Sequence, residues 1–313
     1  MKTVFAWHRP LMTVAALMVL STIVCLVGLL VDQRQVTGLD VWTKPLKFSL
    51  SILLYSVTWA WLIAHLPRWR RVAHAAGTVI AVALIVEQVL IVAAAAAGTT
   101  SHFNVSTPLA SAIWATMAIS ITTLYVGTFL TTIAVFFLRL ETRSTTIAVR
   151  AGAVIALVGM GLAYLMTGPT AAQLGDFRGI AGAHTVGLAD GGPGLPVLGW
   201  STVGGDLRIP HFVGMHALQL LPLFAVLLGW LGRRWHRLAD DRVRTHLVVV
   251  ATVAYAAVVA LVTFQALAGQ SIVHPDGVFL AAGWIIAAGA ALAAVLALTL
   301  RPRASSASPL APA

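Results

Sequence analysis

The sequence predicts an all-α fold, a polytopic bundle of transmembrane helices, and two observations carry that prediction. Of 313 residues, 59% are apolar and 10% charged, with a mean hydropathy of +0.91; in soluble domains roughly a quarter of residues are charged. Apolar runs long enough to cross a bilayer, about 20 residues each, recur along the whole chain. Eight are expected, at approximately 10–31, 46–66, 73–97, 108–138, 148–169, 210–232, 245–268 and 277–300. Nothing between them is large enough for a separate soluble domain. Residues 1–313 are therefore read as one transmembrane domain with halves 1–139 and 140–300, a long outer loop at 170–209 and a cytoplasmic tail at 301–313.

Net charge is +10, which by itself suggests nucleic acid, but its distribution points to a membrane. With the N-terminus inside and the loops sorted alternately, fifteen basic residues fall on the inner side and five on the outer, namely Arg34, Lys44, Lys47, Arg178 and Arg208. That is a positive-inside bias. It places both termini in the cytoplasm, the chain in the cell (inner) membrane, and the lipid bilayer rather than nucleic acid as its partner. Cys25 is the only cysteine, so the chain forms no internal disulfide, no Cys-x-x-Cys metal site and no covalent c-type haem attachment. The first apolar run is longer than a signal-peptide core of 7–15 residues and reads as a retained helix.

Taken in order, the first span is apolar throughout and structural. The second opens on Trp42-Thr-Lys44-Pro45-Leu-Lys47, where Trp42 is an interfacial anchor and the lysines can reach the headgroups. Lys44, Lys47, Ser51, Tyr55 and Thr58 then share one helix face, read as a packing seam in preference to a polar lining. The third span carries Glu87-Gln88 near its middle. Glu87 is the one carboxylate expected at membrane depth, where a charge costs on the order of 2.5–3.5 kcal/mol on insertion scales. It reads either as a protonated structural group or as a proton relay or counter-charge. Ser101-His102-Phe-Asn104 precedes the fourth span, whose stripe of Thr116, Ser120, Thr123, Gly127 and Thr131 looks like close packing. Arg139–Arg150 is expected as an inner loop.

The fifth span ends at Gly168-Pro169, and Thr170–Ile209 follows with ten glycines. Unstructured loops of that length are uncommon and are usually functional or disordered; a lid over an outer pocket is one reading and a loose connector the other. The sixth span begins Asp206-Leu-Arg208-Ile-Pro-His211 and continues through His216 and Gln219. Pro210 is well placed at a helix start. His211 and His216 lie about 140° apart around one helix, so they cannot chelate a single ion together, and Gln219 projects between them. The last two spans bring Gln265, Gln270, His274 and Trp284. Ser101-His102 before Trp114 and Ser271-x-x-His274 before Trp284 suggest a four-plus-four parallel repeat.

On this topology His102, His211, His216 and His274 fall at or near the outer ends of the even-numbered spans, beside Glu87, Gln88, Gln219, Lys44, Asp206 and Arg208. Eight spans, two four-helix halves and outer histidines on even helices resemble the haem A synthase family. That resemblance implies a haem b or metal centre near the outer leaflet, with imidazoles from different helices as ligands, and electron transfer or membrane redox chemistry, with a quinone or another small molecule as a possible ligand. The second span departs from the pattern, since its histidine, His65, is at the inner end; no catalytic role is carried over. The stretches Ser101-His-Phe-Asn and Gly205-Asp-Leu-Arg-x-Pro-His-Phe-x-Gly-x-His-Ala-Leu-Gln also resemble a family of bacterial polytopic membrane proteins, which implies no activity. The alternative is a proton-coupled small-solute transporter with Glu87 titrating and Gln88, Gln219 and Gln265 along its path. Against it stands the lack of any evident broken-helix pair in the sequence. A zinc hydrolase is disfavoured by the absence of His-x-x-x-His, His-Glu-x-x-His and Gly-x-Ser-x-Gly; without a Walker A motif, no nucleotide partner is expected.

Overall fold

The computed structural model describes residues 4–299, so the expected tail at 301–313 lies outside the described residues. The long elements are all helices: α1 (Arg9–Val31), α2 (Thr43–His65), α3 (Arg70–Ala96), α4 (Pro108–Val135), α5 (Arg143–Leu162), the short α6 (Ala171–Gly175), α7 (Arg208–Met215), α8 (Ala217–Leu231), the short α9 (His236–Ala239), α10 (Asp241–Leu267) and α11 (Gly277–Thr299). Two small hairpins complete the set, β1 (Gln35–Val36) with β2 (Leu39–Asp40) and β3 (Thr185–Val186) with β4 (Gly205–Asp206). Among the described residues, seven helices are long and apolar enough to cross a membrane, and α7 with α8 passes the same test as a pair bent by 42°.

Helix starts follow local chemistry. Thr107 and Thr142 accept backbone N–H groups at the starts of α4 and α5, and Asp240 does so for α10; such caps satisfy donors that have no partner within the helix. The Thr142 cap corrects one expectation. It starts α5 at Arg143, so Arg143 and Arg150 stand on a helix rather than in a loop, and Arg150 turns back to the Leu138 carbonyl at 2.9 Å.

Glycines set how closely the helices approach. In lipid there is no water to drive helices together, and small residues let backbones meet. A Cβ on Gly159 would lie 2.3 Å from Met215 N, and one on Gly214 would lie 2.6 Å from Gly159 Cα. The first core is built by α1 to α5 with Leu218 of α8, and the second by α5, α8 and α10 with Leu238 of α9 and Ala297 of α11, so α5 and α8 are shared between them. Helix α11 packs on α10 and is almost wholly exposed at the bundle's edge.

The sixth span differs from the sequence prediction. A single helix over 210–232 is expected, yet the chain breaks at His216, the shared cap of α7 and α8. Gly214 is pressed against α5 just before the break, and Gln219 N bonds back to His216 O three residues away. Pro222, inside α8, withholds the N–H that the Leu218 carbonyl would accept.

Turns 32–42, 97–107, 163–207 and 268–276 meet at one pole. Arg34 reaches the Ala96 carbonyl, Val105 N bonds Gly179 O, Leu207 N bonds His184 O, and Ser271 Oγ bonds Ser201 O. The opposite pole holds the arginine-rich turns, tied by contacts such as Ser144 Oγ to Asp241 at 2.6 Å.

Candidate functional site

The glycine-rich segment is built rather than loose. Thr170 and Gln173 form a reciprocal cap at the start of α6, β3 pairs with β4, and Asn104 bridges to Ile180. Its anchor is Asp206, a wholly buried carboxylate. Asp206 accepts from Ser201 N at 2.8 Å, from Arg208 N at 3.0 Å, and from the Arg208 guanidinium through Nε at 2.9 Å and Nη2 at 2.6 Å. Arg208 also donates to the Gly199 carbonyl. Asp206 and Arg208 thereby tie the end of the segment to the start of α7.

Beneath the segment lies a cluster of basic and imidazole side chains. Lys44 Nζ, in the first turn of α2, is 3.2 Å from His102 Nδ1, and Ser101 Oγ is 2.9 Å from the same nitrogen. An ammonium can only donate, so Nδ1 accepts and the ring proton of neutral His102 sits on Nε2. The ring is boxed by Trp114, Phe48 and Phe103, with centroids 5.6, 6.0 and 6.0 Å away. Burial, followed by the Lys44 charge, holds His102 well below the usual histidine range. Phe103 carries the cluster to its neighbour: it adopts a left-handed backbone at φ 66° and its ring packs, tilted, with its centroid 5.0 Å from that of His184.

His184 Nδ1 is 2.6 Å from Asp190 Oδ2, and the backbone N–H groups of His184 and Thr185 also donate to Asp190. Burial raises the Asp190 carboxyl, but these hydrogen bonds outweigh it and hold the group below the ordinary carboxylate range. His184 itself is lowered, because burial outweighs its hydrogen bond to Asp190. Lys47, one turn after Lys44, donates to the Leu198 carbonyl at 2.8 Å.

The four histidines singled out from the sequence have different settings. His102 sits at the centre of the basic cluster. His211 is bonded through Nδ1 to the Gly159 carbonyl of α5 at 2.8 Å and lies within electrostatic range of His184. His216 sits at the break between α7 and α8 and faces an enclosed cavity of about 10 Å³, bordered also by Ser51, Tyr55, Trp59, Thr128 and Gln219. His274 is exposed, and the hydrogen bond from its backbone N–H to Ser271 O stays within its own turn. Trp284 is likewise exposed while Trp114 packs on His102, so the two halves of the apparent repeat have unlike surroundings. Among the described residues, no group of three or more His, Cys, Asp or Glu is spaced to hold a metal ion.

The polar face of α2 runs from this cluster to the cavity. Lys44 and Lys47 stand at its cluster end, and Ser51 and Tyr55 border the cavity, with Tyr55 Oη 2.6 Å from Thr128 Oγ1. Thr58 receives the Gln219 amide at 3.3 Å. The stripe is thus both a seam and a lining. Adjacent on α3, Gln88 and Glu87 have opposite fates. Gln88 Nε2 donates to Ser21, Ser49 and the Pro45 carbonyl. Glu87 is 3% exposed, and among the described residues its Oε1 has no hydrogen-bond partner; the charge acting on it is that of Lys44.

Sequence reasoning passes over His184, Asp190 and Trp59. Asp190 follows His184 by six residues in a stretch with no helical or strand periodicity, so no spacing rule marks the pair. The lysine stripe did carry the signal for Lys47. Compared with protein-family models, with curated proteins and with solved structures, the chain matches none.

Proposed function

We propose that this chain is a proton-coupled carrier for a small polar solute. In this reading it crosses the cell membrane eight times with both termini in the cytoplasm, the bent α7–α8 pair counting as one span and the loop-bearing pole facing outward. The orientation rests on the basic residues: Arg68, Arg70, Arg71, Arg139, Arg233 and Arg234 cluster at the other pole, as cytoplasmic ends require.

One observation carries the reading: a broken span whose break, at His216, lies beside a water-sized internal cavity bordered also by Ser51 and Tyr55 of the polar α2 face. Broken spans in transporters leave helix ends and unpaired polar groups where a solute binds. Glu87, a buried carboxylate on α3 whose Oε1 has no hydrogen-bond partner among the described residues, is the group we assign to carry the proton. The test is flux in proteoliposomes containing a trapped pH dye. Addition of a transported solute from a panel of small acids, amines and neutral metabolites should move protons with the wild-type chain, and Glu87→Gln should abolish the movement. If no solute moves protons with the wild-type chain, the proposal fails. Orientation is tested separately, by Ala189→Cys and Arg234→Cys in a Cys25→Ala background: an impermeant maleimide added to intact cells should label the first and not the second.

A redox reading, with haem b or a metal near the outer leaflet and a quinone as possible ligand, keeps one observation in its favour. His184 and His211 each have Nδ1 held by an oxygen, Asp190 Oδ2 and Gly159 O, which leaves Nε2 in the orientation of many metal-bound imidazoles. It is the weaker reading, because aromatic rings close around the His102 imidazole. A Soret band in purified protein, sharpening on reduction, would restore it.

A further inference from the structure

We propose that the groove between α3 and α4 seats one acyl chain of an anionic phospholipid, whose headgroup lies on the arginines at the same end of those two helices. The inference needs the chain to span a membrane, and it does not depend on the carrier reading.

Small residues make the groove. Where the two helices meet, Gly127 of α4 faces Ala76 and Ile80 of α3: a Cβ on Gly127 would lie 2.9 Å from Ile80 Cγ1 and 3.8 Å from the Ala76 carbonyl oxygen. Val79, Val126 and Leu130 stand exposed around this floor and, with Thr123, leave a groove of about 330 Å³. Counted from Arg70 on α3 and from Val135 on α4, its residues stand about 8–18 Å from the arginine-rich ends of their helices at 1.5 Å per residue. That is acyl-chain depth, chiefly within one half of a hydrocarbon core about 30 Å thick.

Two apolar stripes carry the groove to the membrane surface. Trp69, Val72, Ala76 and Val79 follow one another at intervals of three and four, and so do Val126, Leu130, Ile133 and Phe137; residues so spaced share one helix face. Trp69, Val72, Ile133 and Phe137 are all exposed. The rings of Trp69 and Phe137 stack across the end of the groove, with centroids 6.3 Å apart and planes 11° from parallel. Aromatic side chains at a helix end mark headgroup level, so the groove runs from mid-membrane to the place where a lipid's charge would lie.

Charge at that end selects the headgroup. Arg68, Arg70, Arg71 and Arg139 are exposed on turns that bear one acid, Glu141, and among the described residues no carboxylate pairs with any of the four. Arginine side chains reach along an interface with their stems on apolar surface, and their planar forks match phosphate oxygens two at a time. A zwitterionic headgroup would bring a cation of its own to this surface. A second copy of the chain, docked through the same face about a two-fold axis, would set these unpaired arginines against their equivalents. An anionic phospholipid meets both the groove and the charge.

Native mass spectrometry of the detergent-solubilised full chain, titrated with phosphatidylglycerol or phosphatidylcholine, tests this. One phosphatidylglycerol should be retained about tenfold or more tightly than phosphatidylcholine, and Arg71→Gln with Arg139→Gln should weaken it about fivefold for each arginine removed. Val79→Trp, which fills the groove from its exposed wall, should remove the retained lipid; Val126→Trp, on the facing wall, serves if that variant does not fold. Inorganic phosphate should not displace the lipid. Equal retention of the two lipids, or retention unchanged by the arginine pair or by the groove-filling variant, would overturn the proposal. So would displacement by inorganic phosphate, which would mark a phosphate site without a chain seat, or a protein dimer that Val79→Trp splits, which would give the groove to a second copy. None of these readouts uses flux or orientation, so a failure here leaves the carrier test standing, and a failed flux assay leaves this one.

Discussion

Lys44 Nζ and His102 Nδ1 lie 3.2 Å apart across 58 residues of sequence, pinning the first turn of α2 to the turn before α4. The contact requires a neutral imidazole, because a protonated ring would turn an N–H toward an ammonium. Burial and charge therefore act together to keep His102 unprotonated.

That arrangement predicts a pH dependence of stability. In the unfolded chain, histidine binds a proton near pH 6.5, whereas folded His102 and His184 hold theirs less well. Below that pH the unfolded state carries more protons, so stability falls as the medium is acidified and is fully present above it. The Tm of detergent-solubilised protein should drop between pH 7 and pH 5, and His102→Gln should flatten the drop. A Tm that is level across this range in the wild-type chain would contradict a neutral, buried His102.

Asp206 is the anchor of the long segment, and removing it should have a local and a global effect. Asp206→Ala leaves the Arg208 guanidinium half-buried with one carbonyl partner and releases the Ser201 turn. Breaking a buried pair from one side costs about 3–5 kcal/mol. We expect a lower denaturation midpoint and new protease cleavage within 170–207, with Asp206→Asn milder because it keeps an acceptor for Ser201. Cleavage no faster than in the wild-type chain would show that the segment is held by something other than Asp206.

How far the sequence reveals this molecule depends on the range of the interaction concerned. Helices are legible because membrane burial needs long apolar runs; the expected and observed spans agree within a few residues for α1, α2, α3, α4, α10 and α11. The α7–α8 break was not legible, since it depends on Gly214 meeting Gly159, a contact between residues 55 apart. Pro222 was the local hint. At the site, Lys44, His102, Asp206 and Arg208 could be named from their polarity at a membrane boundary, and the structure brings them to one pole. His184 and Asp190 could not, because irregular chain carries no period. His274 had the same sequence signal as His102 but stands exposed, for its turn has no counterpart of Lys44 and Trp114 to fold against.

The Gly159–Gly214 contact makes its own prediction. Either residue changed to alanine places a methyl group within 2.3–2.6 Å of the facing backbone, and backbone cannot rotate away as a side chain can. Overpacking of this kind costs about 1–3 kcal/mol, and here it would also press on the break beside it. Gly159→Ala and Gly214→Ala should lower thermal stability, while Gly168→Ala, with nothing within 4 Å, should change it by no more than about 0.5 kcal/mol. Equal stability of all three variants would mean that α5 and α7 do not approach at these glycines.

Inside the cavity at the break, Trp59 Nε1 and Gln219 Oε1 are a buried donor and a buried acceptor with no partner among the described residues. Leaving each unmet costs about 1–3 kcal/mol. The cavity's volume of about 10 Å³ is near the minimum for one water, and a buried water needs two to four polar partners, which the indole, the amide and His216 provide. A high-resolution experimental structure should therefore show one ordered water within about 3 Å of both atoms. The energetic counterpart is a double-mutant cycle. Trp59→Phe and Gln219→Leu should each destabilise, because each strands the other's partner and the water. The double variant should cost less than the sum of the two, since removing both polar partners together leaves nothing unsatisfied. Strict additivity would show that the two groups share no water.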